Sequence, residues 1–181
     1  WLYEDLGLNN YPDADIRCTV WTPRDSKVPL EDMSLIQLVD YVPKFGYLSN
    51  KPNLYRRNNS KGRTIKVARV EGNIVKPIGL IGKCAMDTIN NSKPLIMFEK
   101  VPDGIDFYQY MIDTWNFSKA VAKRLTSDRK AYMCLSLMNA GRTDLLGIIY
   151  MDSKSQDIFT QQIGDKAQFH LPRIAELLVS N

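Results

Sequence analysis

The sequence predicts a mixed α/β (α+β) domain organised around a central antiparallel sheet, and three patterns carry that prediction. Residues 130–153, KAYMCLSLMNAGRTDLLGIIYMDS, hold two apolar runs, Ala131–Met138 and 145–152, around Asn139, Gly141 and Asp144, residue types suited to a chain reversal; the stretch reads as a long β-hairpin. Tyr132, Cys134 and Ser136 alternate with Met133, Leu135 and Leu137, and both sets are mostly apolar or small. The pair therefore belongs at mid-sheet, covered on both faces. Elsewhere apolar residues recur at steps of three and four, the spacing of amphipathic helices.

In chain order, 16–21 (IRCTVW) alternates apolar and polar residues before Pro23 and reads as a first strand, with 33–42 (MSLIQLVDYV) its hairpin partner. Residues 43–66 hold prolines, glycines, asparagines and most of a basic cluster, and read as a long surface loop with at most a short helix near Leu54 and Tyr55. Residues 63–70 (RTIKVARV) have strand periodicity, and 74–78 lead into Gly79. From Gly79 the spacing turns helical through Leu80, Ile81, Cys84, Ala85 and Thr88, with Asn90 and Asn91 closing the helix. A brief strand at 94–99 (PLIMFE) follows. The longest helix is expected from Ile105 until Ser127-Asp128 stops it before the hairpin, and Ile105, Tyr108, Ile112, Trp115 and Ala122 share a stripe widened by Phe107 and Met111. After the hairpin, 153–164 reads as a polar turn with room for one short helical piece. A terminal helix over 167–179 turns Ile174, Leu177 and Leu178 inward, with Pro172 near its first turn.

At 181 residues the chain suits one domain with a core that needs no metal or disulfide staple. No apolar run approaches the roughly 20 residues that span a bilayer. Cys18, Cys84 and Cys134 are an odd set without CxxC spacing, which points to reduced thiols in a reducing, cytoplasmic compartment. The Asn-x-Ser triplets at Asn58, Asn90 and Asn116 matter only in a secretory one. The chain opens on Trp1 without a methionine and reads as a fragment: 1–14 is expected to be a leading linker or the end of an upstream helix, and 15–181 the domain. Trp1 and Tyr3 also fit the aromatic border after a membrane span, which would tether the domain to the inner face of a membrane. The basic cluster Lys51, Arg56, Arg57, Lys61, Arg63, Lys66 and Arg69 reads first as a solvated loop and second as a contact to an anionic membrane. Nucleic acid is the third reading, since Tyr55 alone supplies a stacking ring.

Two sequence signatures point further. Gly79-Leu80-Ile81-Gly82-Lys83-Cys84-Ala85, followed by Asn91-Ser92-Lys93-Pro94-Leu95-Ile96, is similar to the G-x-x-G helix and lysine-proline strand start of the GAF family. Leu145-Leu146-Gly147-Ile148-Ile149-Tyr150-Met151-Asp152-Ser153, with Phe159-Thr160 after it, resembles the same family's closing strand. The resemblance covers about residues 15–181 in the expected order of elements. It implies a GAF-like antiparallel sheet of about six strands with helices on both faces: a helical bundle on one, a ligand cavity roofed by loops and short helices on the other. It also implies a sensory or dimerisation module, and so a small-molecule ligand and a homodimer as partners.

The residues qualify that implication. The only histidine, His170, lies in the terminal helix, which argues against a histidine-held haem or bilin, and the cyclic-nucleotide motif is absent; the cofactor is left unassigned. GAF-like methionine sulfoxide reductases use paired reactive cysteines, a pattern Cys84 and Cys134 do not reproduce, and no residues have metal-ligand spacing. The chain reads as non-enzymatic, binding a small molecule or signalling through dimerisation. An assembly module with a filled cavity is the alternative. Tyr108, Trp115, Met133 and Tyr150 are the candidate cavity lining, with Arg63 and Arg69 the cations that would turn inward for an anionic ligand. Gly82 is expected to let its helix press onto the sheet, and Asp152-Ser153 to cap the following turn.

Overall fold

The computed structural model describes residues 5–43 and 64–179. Strands β1 (Arg17–Pro23), β2 (Ser34–Pro43), β3 (Thr64–Lys66), β6 (Ile96–Lys100), β7 (Ala131–Met138) and β8 (Leu145–Ser153) form one six-stranded sheet in the order β3-β2-β1-β8-β7-β6. Every neighbouring pair is antiparallel. The β7–β8 hairpin is interior as its two-sided apolar pattern requires, and all eight residues of β7 are buried. Strands β4 (Ala68–Glu71) and β5 (Ile74–Pro77) make a separate ribbon. The run 63–70 thus divides at Val67 between two sheets.

Because side chains alternate along a strand, β7 and β8 sort their residues into two cores. One holds Trp21, Tyr132, Cys134 and Ile148 under α1 (Gly79–Asn91), α2 (Phe107–Asp113) and α3 (Lys119–Ala122), which add Leu80, Cys84, Met111 and Ala122. The other holds Met133, Leu135, Ile149 and Met151 under α4 (Gln161–Val179), with Ile163, Ala167 and Leu171. Leu6, Leu8, Ala14 and Ile16 join this second core, so the opening segment packs as part of the domain. Two single-turn 3-10 helices, Leu8–Asn10 and Pro12–Ala14, carry it there. Trp1, Leu2, Tyr3, Leu54, Tyr55 and Arg63 lie outside the described residues, as do the side chains of Leu177 and Leu178.

Five expectations are corrected. The single helix expected from Ile105 is broken: Asp106 and Ser118 each cap a helix start, accepting from the N–H groups of Gln109 and Val121, and Asn116 between them sits at φ 56°. Its side-chain amide donates to the Pro77 carbonyl at 3.0 Å, which anchors the break. The longest described helix is instead α4, which starts at Gln161 with the Thr160 hydroxyl accepting from Ile163 N–H at 3.4 Å. Pro172 consequently lies inside that helix and not in its first turn. Gly82 presses α1 against Val67 and not against the central strands: a Cβ there would stand 2.2 Å from the Val67 carbonyl oxygen, which also accepts from Ile78 N–H at 2.9 Å. Ser153 does cap the turn, accepting from Ser155 N–H at 3.0 Å, whereas Asp152 binds arginines.

The Val67 contact has a measurable consequence. Backbone cannot step aside as a flexible side chain can, so Gly82→Ala should cost about 3 kcal/mol, the upper part of the usual overpacking range. Urea unfolding would measure it, and Gly141→Ala serves as the control for glycine substitution, because Gly141 has no left-handed φ and a Cβ there meets nothing closer than the Thr143 side chain at 3.9 Å.

Candidate functional site

The two faces of β1, β8 and β7 differ in chemistry. On the α4 side the rows are apolar or thiol: Cys18 opposite Met151 and Met133, then Val20 opposite Ile149 and Leu135. On the α1 side Arg17, Asp152 and Tyr132 form one row, and Thr19, Tyr150 and Cys134 the next. Glu99 on β6 extends the first row. Polar groups in the middle of a sheet cost free energy unless they are satisfied, so a polar floor needs a reason.

Much of the floor is satisfied internally. Arg17 grips Asp152 with two parallel bonds, Nε to Oδ1 and Nη2 to Oδ2, both at 2.8 Å, the bidentate geometry that suits guanidinium and carboxylate. Asp152 has a side chain only 2% exposed, and Arg129 Nε lies 3.5 Å from it. Arg129 also donates to the Asp15 carbonyl at 2.6 Å and to the Asp15 carboxylate at 3.0 Å, while Lys154 bridges Asp15 and Asp128 at 3.1 and 3.0 Å. Arg17, Arg129 and Lys154 thus face Asp15, Asp128 and Asp152, three cations against three anions. Gln37 Nε2 donates to Thr19 Oγ1 at 3.0 Å, and the rings of Tyr132 and Tyr150 lie 6.1 Å apart. Tyr110 donates to Glu99; burial, followed by that bond and charge, pushes its hydroxyl up to about 12. The indole N–H of Trp21, one position along β1 on the same face, is buried without a hydrogen-bond partner.

The two carboxylates at the heart of the network respond oppositely to the fold. Burial pushes Asp152 above its ordinary 3.8, further than the hydrogen bond and charge of Arg17 and the charge of Arg129 pull it down. Burial also raises Asp15, but Lys154 and Arg129 outweigh it and hold that carboxyl below 3.8.

The sequence-predicted lining does not converge. Tyr150 packs against the core that contains Trp115, and both belong to the α1 side. Met133 faces α4, because it pairs with Met151 while Tyr150 pairs with Cys134. Tyr108 is an exposed ring edge-on to Phe107, with centroids 5.5 Å apart. Arg69 pairs with Glu71 at 2.6 Å on the β4–β5 ribbon, where Lys76 holds the same carboxylate. Arg17, Thr19, Asp152 and Arg129 are the residues that sequence reasoning missed. Arg17, Thr19 and Trp21 form the alternate set of IRCTVW, and an arginine in a half-buried strand is the signal that asks for a buried acid.

Cys84 and Cys134 lie on the same face as this network, and Cys18 on the opposite one. Cys18, Cys84 and Cys134 are free. Cys84 on α1 and Cys134 on β7 are neighbours in space though not in sequence: burial, then a hydrogen bond with Cys84, pushes Cys134 well up. One turn further along α1, Thr88 Oγ1 donates to Ser136 Oγ at 2.7 Å. Burial pushes Cys18 up to about 12. His170 approaches Asp5 at 3.9 Å. Among the described residues no group of three or more His, Cys, Asp or Glu side chains could hold a metal ion. No protein-family model matches the chain, and no curated protein matches it.

Arg17→Ala should cost about 3 kcal/mol at neutral pH, because it strips a buried carboxylate of its closest partner. The cost should shrink in acid, where neutral Asp152 needs no cation. The pH dependence of the two acids has opposite sign. Asp15 stabilises the fold above 3.8 and loses that contribution as pH falls through its folded value, so the cost of Asp15→Asn should grow with rising pH. The contribution of Asp152 is complete below 3.8 and is lost as pH rises through its folded value, so Asp152→Asn should become less costly with rising pH. Stability curves of the three variants against pH check all of this.

Proposed function

We propose that this chain is a GAF-like sensory or regulatory domain that binds a small molecule on the α1 side of its sheet and catalyses no reaction itself. One observation carries the reading: the α1 face of β1, β8 and β7 presents Thr19, Tyr132, Tyr150 and the unpartnered Trp21 N–H, whereas the opposite face is apolar or thiol. Since the charges of the floor neutralise one another, and Thr19 accepts from Gln37 while the Tyr132 hydroxyl donates to the Arg129 carbonyl, the polar group of this face left without a hydrogen-bond partner among the described residues is the Trp21 indole N–H, set among aromatic rings. That chemistry suits an uncharged, planar, hydrogen-bonding molecule. The sheet order, with α4 on one face and α1 to α3 on the other, supports the GAF-like reading. Thiols raised by burial support a non-catalytic role for Cys18 and Cys134, since the thiolate is the reactive form.

A second reading, an assembly module that forms a homodimer, is favoured by Phe169, which is 83% exposed on the outer surface of α4. A cytoplasmic setting, with or without an upstream tether, accompanies either reading. Among the described residues no helix is long and apolar enough to cross a membrane.

A thermal-shift screen of uncharged heterocycles against anionic metabolites tests the first reading. A true ligand at a hundredfold excess over its Kd should add about 2.7 kcal/mol. For a chain of this size that corresponds to a Tm rise of roughly 5–10 °C. Trp21→Phe, which removes that unpartnered N–H, should weaken binding about tenfold. Absence of any shift, together with a dimer dissociated by Phe169→Ser, would favour assembly.

A further inference from the structure

A cleft of about 700 Å³ opens on the α4 side of the sheet, between the C-terminal half of α4, the tip of the β7–β8 hairpin and the α1–β6 connection. It is distinct from the polar floor, and nothing in this inference rests on the reading given to that floor. Leu137 and Leu171, both buried, lie at its base, and Pro94, Met138, Leu146 and Ala175 make its walls apolar. Its volume falls in the range of small-molecule pockets. Pro172, inside α4, also lines it; the ring has no N–H for the Gln168 carbonyl one turn earlier, and Gln168 lines the cleft as well.

The polar lining is biased in sign. Lys93 from the α1–β6 connection and Arg142 from the hairpin tip are exposed cations without an ion-pair partner among the described residues, and Glu176 is the single acid in the lining. Both cations stand at one end of the cleft: Ile96 pairs with Leu135, so Lys93 falls beside the end of β7, next to the hairpin tip that carries Arg142. The tip is itself pinned, with the Asn139 side chain accepting from the N–H groups of Thr143 and Asp144 at 2.9 and 3.2 Å. An apolar trough with two cations at one end is complementary to a molecule that is apolar along its length and anionic at its head.

We propose that this cleft binds a single-chain amphiphile with a carboxylate head, of the chemistry of a medium-chain fatty acid. The alkyl chain lies along Leu137, Met138, Leu146, Leu171 and Ala175, and the carboxylate lies between Lys93 and Arg142.

Calorimetric titration of the full chain with dodecanoate below its micelle concentration, and with dodecanol, tests the assignment. The expected result is saturable binding of one dodecanoate per chain. A Lys93→Gln, Arg142→Gln double variant should bind dodecanoate at least tenfold more weakly with dodecanol unchanged, and Ala175→Trp should abolish binding of both. The double variant changes only exposed turn residues, so it decides the question even if Ala175→Trp fails to fold. Absence of saturable binding overturns the proposal, as does affinity unaltered by the double variant or reduced equally for dodecanol. A concentration-dependent dimer that Ala175→Trp dissociates would assign the cleft to a second copy of the chain and overturn it too.

Discussion

The β7–β8 hairpin is buried on both faces, and that constraint assigns the rest of the chain its place. A strand with one wet face needs a single apolar row; here both rows of each strand must be covered, so the chain has to supply two independent roofs. The roof over Tyr132, Cys134 and Ile148 comes from the middle of the sequence, through α1, α2 and α3. The roof over Met133, Leu135 and Met151 comes from its two ends, the opening segment and α4. A slip of one residue in the β7–β8 register would exchange the two sets wholesale, placing Tyr132 and Cys134 under α4. Specificity of fold therefore rests on pairing at least as much as on hydrophobicity.

Against that background the polar end of the α1 face is a local departure. Asp152 is a charge in a setting that disfavours charge, compensated by two guanidiniums, Arg17 from β1 and Arg129 from the segment just before β7. Buried pairs of this kind contribute little net stability, since desolvation consumes most of the Coulombic gain; they do penalise alternatives that leave the acid alone. Arg17 opposite Asp152 also excludes slippage of β1 against β8, because any other register buries an unpaired carboxylate. The network thus complements the apolar pattern of β7 and β8, which says little about the placement of β1.

The fold was legible where period and length agreed. The hairpin, the β1–β2 pair and α1 follow directly from alternation or helical spacing and lie within a few residues of their expected bounds. The break in 105–122 was not legible from periodicity, because Ile105, Tyr108, Ile112 and Trp115 keep helical spacing up to the interruption. The signals that win there are the two caps, Asp106 and Ser118, with Asn116 taking a left-handed conformation to which asparagine is better suited than most residues. The start of α4 was missed because Gln161, Gln162 and Asp165 are polar, although Ile163 and Ala167 already mark its buried stripe. The candidate site was less legible still. Met133 was grouped with Tyr150 on the strength of its character, whereas parity along the paired strands places the two on opposite sides. Arg17 and Arg129, distant in sequence from Asp152 and Asp15, become a site only once β1 is laid beside β8.

That placement also bears on how the chain comes to be folded at all. β1 sits between β2 and β8, and the bonds that join Arg17 to Asp152 span 135 positions. As the polypeptide leaves the ribosome, β1 and β2 can pair early, but the other edge of β1 stays open until β8 has been made. The conversion of an open ribbon into a closed interior strand therefore waits for the synthesis of β8, and loop closure over so long a span makes it slow. Val20 and Trp21 on that waiting edge are surfaces that a chaperone would have to shield in the meantime.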